Sequence, residues 1–190
     1  MDAVPVFPLL ETERLILKKL CPQDVDFIYR HFSNQHVCEF LFDNEPLTSI
    51  EGAHAIIDFY ADAEQMDRNR WVIFSKESSE PIGTCGYHRW DRADNIAEIG
   101  YDLEREFWGH GYMHEAMQAA LEVGFDHMHL NRVQAFVSVQ NSRSVKVLKR
   151  LGFSEEGIIR DKHYFRGAYY DHFCLSLLKR EWSALHTANA

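Results

Sequence analysis

The segment that most constrains the fold runs from residue 96 to residue 125, where the spacing of apolar side chains changes. Residues 96–103 alternate between two sets of side chains, as expected of a strand. Residues 112–125 instead carry apolar side chains at helical spacing. Two glycines, Gly109 and Gly111, lie between the two patterns. The segment therefore predicts a strand, a tight turn and a helix in direct succession.

A glycine turn between a strand and a helix is suited to binding an anion. Its backbone N–H groups can converge on one ligand, and the helix amino terminus adds the positive end of its dipole. We therefore interpret residues 108–113 as a pyrophosphate-binding loop, with a plain turn and helix cap as the alternative. A dinucleotide fingerprint is disfavoured because its third glycine position holds His114, and a Walker A loop is excluded because Gly-Lys-Ser/Thr is absent.

The remaining hydrophobic patterns predict a mixed α/β sheet with helices on both faces. The predicted order is strand, two helices, three strands, helix, strand, helix and two strands. Predicted strands cover residues 14–20, 71–74, 82–90, 96–103, 133–139, 153–160 and 169–178. Predicted helices begin at Pro22 and after Thr48 or Ser49, and cover residues 112–125 and 142–151, the last one ending at Gly152.

The charge balance argues against a general nucleic-acid binder. The chain has 20 Lys and Arg against 29 Asp and Glu in 190 residues, a formal net charge of −9, whereas nucleic-acid binding needs a basic surface. The charge is compatible with a cationic substrate, although ordinary solvated surface charge is the simpler explanation. With 46% hydrophobic and 26% charged residues, the composition is that of a folded globular domain.

The four cysteines indicate a reduced, cytoplasmic protein. They lie far apart and form no C-x-x-C pair, which is typical of buried thiols rather than of a disulfide framework. They are Cys21, Cys38, Cys85 and Cys174. No stretch approaches the ~20 apolar residues of a membrane span, and the start Met1-Asp2-Ala3 lacks the features of a signal peptide.

Two histidine pairs were considered as metal ligands. His110 and His114 are four residues apart, and His127 and His129 are two apart. Neither pair has a third ligand at a fitting spacing, so the sequence predicts no metal site.

A second motif relates the chain to a known superfamily. Asn141-Ser142-Arg143-Ser144 opens a predicted helix that ends in Leu151-Gly152-Phe153. Together with Trp108-Gly109-His110-Gly111-Tyr112-Met113, this pattern resembles the GNAT acyltransferase superfamily, whose cofactor loop has the form R/Q-x-x-G-x-G/A. Residues 12–17, 97–101 and 169–182 resemble the branch that acetylates the amino termini of ribosomal proteins. The resemblance covers about residues 9–182.

The resemblance implies a GNAT-like fold in a single N-acetyltransferase domain over residues 1–190. The sheet is expected to be mixed and mostly antiparallel, with about seven strands splayed near its centre and helices on both faces. Gly100 would mark a β-bulge at the splay, with a close-packed strand glycine as the alternative.

The resemblance also implies acetyl-CoA as the donor. The residues assigned to this cofactor are Asp102, Leu103, Trp108, Gly109, His110, Gly111, Tyr112, Met113 and Asn141. Asp102 and Leu103 would offer backbone groups to pantetheine, and Met113 would narrow the loop. Basic side chains of the later helix would meet the terminal phosphate, with solvated helix charge as the alternative; they are Arg143, Lys146, Lys149 and Arg150.

Two residues are candidates for catalysis. Glu98 lies on the strand where several relatives carry a base; its alternatives are a structural salt bridge or binding of the substrate ammonium. Many superfamily members place a proton-donating tyrosine seven residues after Asn141, but this position holds Leu148. Ser144 is then the candidate hydrogen-bond partner of the leaving sulfur, with helix capping as its alternative.

The acceptor is expected to be a protein amino terminus. The alternatives are a small amine, such as a polyamine, an amino sugar or an amino acid, and a non-catalytic CoA-binding module. No nucleic acid or membrane is expected as a partner, and homodimers occur in this branch. Candidate residues for the acceptor side are aromatic side chains and the helical region 22–66, with core packing as the alternative; the side chains are Tyr87, His88, Trp90, Tyr164 and Tyr169.

Overall fold

The computed structural model describes residues 6–61 and 67–187. Two expectations fall outside the described residues. One concerns the start of the chain at residues 1–3, and the other concerns residues 62–66, the last part of the helical region 22–66. The strands are β1 (Leu10–Glu11), β2 (Leu15–Lys19), β3 (Trp71–Ser75), β4 (Pro81–Asp91), β5 (Ile96–Leu103), β6 (Arg132–Ser138), β7 (Ser154–Phe165) and β8 (Ala168–Leu178). The helices are α1 (Val25–Phe32), α2 (Ile50–Phe59), α3 (Tyr112–Glu122), α4 (Ser142–Arg150) and α5 (Lys179–Thr187).

These strands form one sheet in the order β1-β2-β3-β4-β5-β6-β8-β7. Neighbouring strands are antiparallel except β5 and β6, which run parallel. The predicted mixed, mostly antiparallel sheet is confirmed. The strand beyond the expected seven is β1, a two-residue edge strand that is too short to show an alternating pattern.

The sheet splits between β5 and β6. These strands pair only over residues 96–98 and 132–134. Beyond Glu98, β5 continues to Leu103 against β4, while β6 continues to Ser138 against β8. The two half-sheets therefore diverge and leave a cleft at the centre of the sheet, which confirms the predicted splay.

Gly100 lies at the start of this split, but it is not the predicted bulge. β4 and β5 pair without a shift past Gly100, and the register shifts instead in β4 between His88 and Asp91. A Cβ atom at position 100 would lie 3.1 Å from His88 Cε1. Glycine is therefore needed at this position because it leaves room for the side chain on the neighbouring strand.

Helices cover both faces of the sheet, as predicted. Ile28 of α1 and Ile57 of α2 pack with Val72 on one face. Met117 of α3 packs with Trp71 on the other face, where α4 and α5 also contribute buried side chains. Trp71 and Val72 belong to opposite clusters because successive side chains of a strand alternate between faces. No helix within residues 6–61 and 67–187 is long and apolar enough to cross a membrane.

The carboxyl-terminal part differs most from expectation. β7 continues to Phe165, past the predicted end at residue 160, and its pairing with β8 shifts twice. These shifts interrupt the alternation from which a strand is recognised. α5 was not predicted from the sequence. Trp182 is its one buried residue. A single buried side chain gives too little periodicity to indicate a helix.

The four cysteines are free thiols. Burial raises the pKa of Cys85 to about 12, whereas the other three side chains are partly exposed. The expectation of buried thiols therefore holds for Cys85 alone.

Candidate active site

The split between β5 and β6 contains a cleft of about 490 Å³. This volume lies within the range of small-molecule sites. The loop before α3 and the start of α4 line one part of it, while residues 40–43, β7 and β8 line another. The cleft thus joins the predicted anion-binding loop to the strand that carries the candidate base.

The open edge of β5 turns the backbone groups of Tyr101 and Leu103 toward the cleft. In an antiparallel pair, the N–H and C=O of one residue point to the same neighbouring strand. Glu104 N donates to Ile82 O at 2.9 Å on the β4 side, so the backbone of Asp102, two residues earlier, also faces β4. The expectation for Leu103 agrees with this geometry, but the expectation that Asp102 offers its backbone to a cofactor is corrected.

The carboxylate of Asp102 is also engaged within the protein. His31 Nε2 donates to its Oδ1 at 2.6 Å, Thr84 Oγ1 donates to the same oxygen at 2.7 Å, and Arg70 Nη2 donates to Oδ2. Burial opposes ionisation of Asp102, but Arg70 and His31 outweigh it and lower the pKa to about 2. Asp102 therefore ties α1 and the start of β3 to β5 at the side of the cleft.

The glycine loop has the backbone shape that an anion-binding turn requires. Gly109 and Gly111 have φ values of 82° and 81°, in the left-handed region that favours glycine. A Cβ atom at Gly109 would meet no protein atom within 4 Å, so the loop is open on that side. Tyr112, the first residue of α3, follows at once and also lines the cleft. The free N–H groups of the first helical turn therefore lie next to the loop.

Arg14 holds this loop from outside. Its Nη1 donates to His110 O at 2.9 Å, and its Nε pairs with Glu115 Oε2 at 2.6 Å. Because the N–H and C=O of a trans peptide point in opposite directions, the Gly111 N–H points away from Arg14. His110 is not among the residues that line the cleft. Its carbonyl positions the loop, and its contact with the cofactor stays a prediction.

Trp108 connects the loop to the end of β5. Its Nε1 donates to Leu103 O at 2.8 Å, and Arg143 of α4 stacks on its ring with 4.2 Å between the guanidinium carbon and the ring centroid. The Met113 side chain is buried in the core. Met113 also lines the cleft, so its expected effect on the width of the loop stays a prediction.

The start of α4 brings two hydroxyl groups together. Asn141 caps the helix, since Ser144 N donates to its Oδ1 at 3.1 Å. Ser144 Oγ lies 2.7 Å from the hydroxyl oxygen of Tyr101 on β5. Leu148 is fully buried. A tyrosine hydroxyl from β5 therefore lies at the first turn of α4, whereas position 148 holds a buried leucine.

Three of the four basic residues considered for the phosphate line the cleft; they are Arg143, Lys146 and Arg150. Lys149 does not line it, and its Nζ pairs with Glu155 Oε2 at 2.8 Å. The other three lie on α4, the helix that lines the cleft near the glycine loop.

Glu98 lies in the cleft between two basic side chains. Its side chain is 11% exposed, with Oε2 at 3.4 Å from His88 Nε2 and Oε1 at 3.2 Å from Arg89 Nη1. Burial opposes ionisation, but His88 and Arg89 outweigh it and lower the pKa of Glu98 below its usual 4.5. Glu98 is thus a carboxylate at neutral pH, placed to accept a proton or to bind an ammonium group.

The aromatic residues considered for the acceptor side separate into three groups. Tyr87 and Trp90 are core residues, and the Tyr87 hydroxyl donates to Ala120 O at 2.9 Å. Tyr164 and Tyr169 are exposed and pack on each other outside the cleft. Only His88 lines the cleft, because it shares a face of the sheet with Glu98.

The acceptor side is closed by the connection between α1 and α2, which packs against β7 and β8. Phe42 stacks on Tyr170 with ring centroids 4.3 Å apart, and His163 Nε2 lies 3.6 Å from Asp43 Oδ1. His163 also contacts the ring of His172. Among the described residues, no three His, Cys, Asp or Glu side chains gather as a metal site. No local sequence signal indicates these contacts, since they join segments far apart in the chain.

Comparison with known proteins identifies the family of the chain. The family model for the acetyltransferase (GNAT) domain matches residues 14–154. The chain is 38% identical over 175 residues to the uncharacterized N-acetyltransferase p20 of Bacillus licheniformis, covering 92% of this chain and 98% of that protein.

Two further similarities bear on the acceptor. The chain is 30% identical over 112 residues to the ribosomal protein uS5-alanine N-acetyltransferase of Escherichia coli, which covers 58% of each protein. Its fold also matches the spermidine N-acetyltransferase of Vibrio cholerae in complex with CoA and spermine, with a TM-score of 0.80 and 22% identity over 90% of this chain and 99% of that one. At this identity, the second similarity shows the fold alone.

Proposed function

This chain belongs to the GNAT family of N-acetyltransferases, and we propose that it transfers the acetyl group of acetyl-CoA to the α-amine at the amino terminus of a peptide or protein. The observation that carries the proposal is the position of Glu98, an ionised carboxylate in the same cleft as the glycine loop. The proposal treats residues 1–190 as one domain.

The donor fits the loop and the open strand edge. The backbone N–H groups near Gly109 and Gly111, with those at the start of α3, suit a pyrophosphate. The cleft edge of β5 suits an extended chain that carries amide groups, since Tyr101 and Leu103 face it. Arg143, Lys146 and Arg150 add positive charge along α4.

Glu98 would act on the amine. Acetyl-CoA supplies a thioester whose carbonyl carbon the amine attacks, and the amine must first lose a proton. With reference pKa values near 7.7–8.0 for an α-amine and 10.4 for lysine, this loss costs roughly 1 and 4.6 kcal/mol at pH 7. One carboxylate, acting directly or through a water molecule, is therefore enough for an α-amine.

The leaving sulfur would be stabilised by the hydroxyl pair at the start of α4. If Tyr101 donates to Ser144 Oγ, the Ser144 proton is free to point into the cleft. A thiol has a reference pKa of about 8.5, so its thiolate is a good leaving group. A hydrogen bond from Ser144 to the leaving sulfur is therefore enough to stabilise it, and no strong acid is needed. The described lining of the cleft contains no cysteine, which favours direct attack over a covalent enzyme intermediate.

Two considerations support a peptide acceptor. The relative from Escherichia coli is named for acetylation of an alanine of ribosomal protein uS5. An α-amine also makes the smaller demand on a single base.

The test is release of CoA thiol from acetyl-CoA over a mixed panel of amines. The panel contains peptides that begin with Ala, Ser or Met, together with spermidine and glucosamine. We expect turnover on the peptides, with mass spectrometry placing the acetyl group on the α-amine. Turnover confined to the small amines would overturn the peptide acceptor, and no turnover with any amine would favour a CoA-binding module.

A further inference from the structure

A bulge in β4 places two consecutive side chains on the cleft side of the sheet. The register of β4 shifts between His88 and Asp91, and Arg89 has a φ of 51°, which is uncommon for a residue other than glycine. Regular alternation would turn Arg89 toward the core, as it does Tyr87. Instead, Tyr87 and Trp90 are buried in the core while His88 and Arg89 both line the cleft.

A second irregularity, in β7, also turns two consecutive side chains toward the cleft, on its opposite wall. The register shifts between Ile159 and His163, and Asp161 has a φ of 52°. Asp171 Oδ1 accepts the Asp161 N–H at 2.8 Å and so holds the irregular turn. Lys162 and His163, which are consecutive, both line the cleft. Bulges that re-aim side chains are common next to active sites.

These two irregularities bring one arginine and one lysine to the cleft. Arg89 uses Nη1 for Glu98, but its side chain is 63% exposed and its other nitrogens form no hydrogen bond within the described residues. Lys162 has no carboxylate within 4 Å in the described structure, and its Nζ lies over the Phe136 ring. Burial lowers the pKa of His163; the charges of Lys162 and Arg89 act in the same direction, and those of Asp43 and Glu98 act against it. Arg89 and Lys162 thus line the same cleft, and both influence His163.

The carboxylates of this region are already engaged. Glu98 lies against His88 and Arg89, and Asp43 lies 3.6 Å from His163. Over the whole cleft, six Arg and Lys line the walls against three Asp and Glu, although the chain as a whole carries a net charge of −9. Three of these six basic residues lie on α4 at the donor side, and a fourth, Arg70, is paired with Asp102. Arg89 and Lys162 remain near Glu98 and Asp43, whose carboxylates are already paired with side chains of the protein. The additional ammonium groups of a polyamine would therefore find no free carboxylate here.

Resting on the proposed function, we propose that the acceptor carries a carboxylate close to its reactive amine, which Arg89 and Lys162 bind while the amine lies at Glu98. In a peptide, this carboxylate is an acidic side chain in the first residues; in a small molecule, it is the far end of an aminocarboxylate. The reaction is otherwise unchanged, with the amine forming the amide bond and the sulfur leaving as CoA thiol.

The experiment compares amines that differ only in charge. γ-Aminobutyrate, n-butylamine and putrescine share a four-carbon chain that ends in a carboxylate, a methyl group or an ammonium group. Peptides beginning with Ala-Asp, Ala-Asn and Ala-Lys form the second series. We expect kcat/KM to fall from carboxylate to neutral to cationic acceptor within a series, by about tenfold or more at the first step, as expected of a hydrogen bond to a charged group. The series in which turnover is found identifies the source of the carboxylate.

Three variants assign the preference to residues. Lys162→Gln and Arg89→Gln should each reduce the ratio of kcat/KM between the carboxylate and the neutral acceptor toward one. The ratio is the informative quantity because Arg89→Gln also changes the surroundings of Glu98 and so alters turnover on every amine. Arg160→Gln is the matched control, since Arg160 is an exposed residue of β7 outside the cleft. Acetyl-CoA affinity, measured for each variant, verifies that it is folded.

Each outcome decides the proposal. A carboxylate preference that is lost in Lys162→Gln and Arg89→Gln but kept in Arg160→Gln supports it. Equal turnover within a series, or a preference for putrescine, overturns it while the acetyltransferase function stands. A carboxylate preference that neither variant changes overturns the assignment to Arg89 and Lys162. No turnover with any amine overturns this proposal and the proposed function together.

Discussion

The charge of Glu98 is set by the residues beside it. Burial alone would raise its pKa, but His88 and Arg89 outweigh burial and lower it below 4.5. Glu98 therefore keeps its charge between about pH 6 and pH 9. Over that range, the rise of activity with pH should follow loss of a proton from the acceptor, near 7.7–8.0 for an α-amine.

Glu98→Gln should lower kcat/KM by about 10²–10⁴-fold near neutral pH, the range typical of a lost general base. The loss should shrink as the pH rises toward the pKa of the amine, because an acceptor that is already deprotonated needs no base. The measurement is kcat/KM of both proteins over this pH range with one peptide. A loss that is equal at every pH, or no loss, would remove Glu98 as the base.

The residue scale also shows where sequence reasoning succeeded and failed. Alternation grouped Glu98 with Gly100 and Asp102 on one face of β5, and the structure places Glu98 in the cleft. The family resemblance drew attention to Leu148 but gave no sign of the contact between Tyr101 and Ser144, which forms only when β5 and α4 pack together. Arg89 could not be identified from alternation, since a bulge reverses its direction.

At the scale of elements, the glycine loop is open where a ligand is expected. Gly109→Ala should weaken acetyl-CoA binding by about tenfold or more, because the added methyl group would point into space that the protein leaves empty. The substitution also strains the backbone by about 1–2 kcal/mol, since φ is positive there. Binding is measured by calorimetry and folding by thermal unfolding.

Gly167→Ala is the matched control for this substitution. Gly167 has a φ of 79° and also has no atom within 4 Å of an added Cβ, but it lies in the turn between β7 and β8 outside the cleft lining. It should show the same loss of stability with unchanged acetyl-CoA affinity. An equal loss of affinity in both variants would attribute the effect to strain.

Capping of α4 gives a second prediction at this scale. Asn141→Ala should lower the free energy of unfolding by about 1 kcal/mol, because the Ser144 N–H loses its acceptor. Asn141→Asp should retain most of the stability, since aspartate caps helices equally well. Urea unfolding measures both. If Asn141→Asp is stable but binds acetyl-CoA poorly, the asparagine side chain also contacts the donor.

For the molecule as a whole, a buried charge network joins α1 to the sheet. His31 is fully buried and lies 2.6 Å from Asp102, which also accepts from Arg70. Burial opposes protonation of His31, but Asp102 and Glu104 outweigh it and raise the pKa above 6.5. A raised histidine pKa stabilises the fold fully below pH 6.5 and less as pH rises through the folded value. The pKa of Asp102 is lowered from 3.8 to about 2. Asp102 therefore stabilises the fold fully above pH 3.8, and this contribution is lost as the pH falls toward 2.

The pair should therefore contribute most between roughly pH 4 and pH 6.5, following the directions of the two shifts. The difference in free energy of unfolding between the wild type and His31→Gln should be larger at pH 5.5 than at pH 8.5 in urea unfolding. Asp102→Asn should cost about 3–5 kcal/mol, because it leaves Arg70 and His31 buried without their partner. A difference for His31→Gln that does not change with pH would contradict the charged state of His31.

The fold was predicted well where its signals are local. Strand alternation and helical spacing identified β2 to β8 and α1 to α4, and Gly109 and Gly111 indicated the tight turn before α3. α5 and the end of β7 were missed because one has a single buried residue and the other is interrupted by irregular pairing. The overall charge of −9 was compatible with a cationic substrate but simpler to explain as solvated surface charge, and the described cleft is lined by more basic than acidic residues.

Sequence patterns were enough to predict the glycine turn, the strand that carries Glu98 and the family. These depend on residues close together in the chain, where periodicity and positive-φ glycines act directly on local conformation. The side chains that face the cleft on the side of Glu98 depend instead on tertiary packing. Arg89, Lys162, Asp43 and His163 meet there because two bulges and the connection between α1 and α2 bring distant segments together. The charge of a cleft depends on which side chains face it, and local sequence patterns do not specify that.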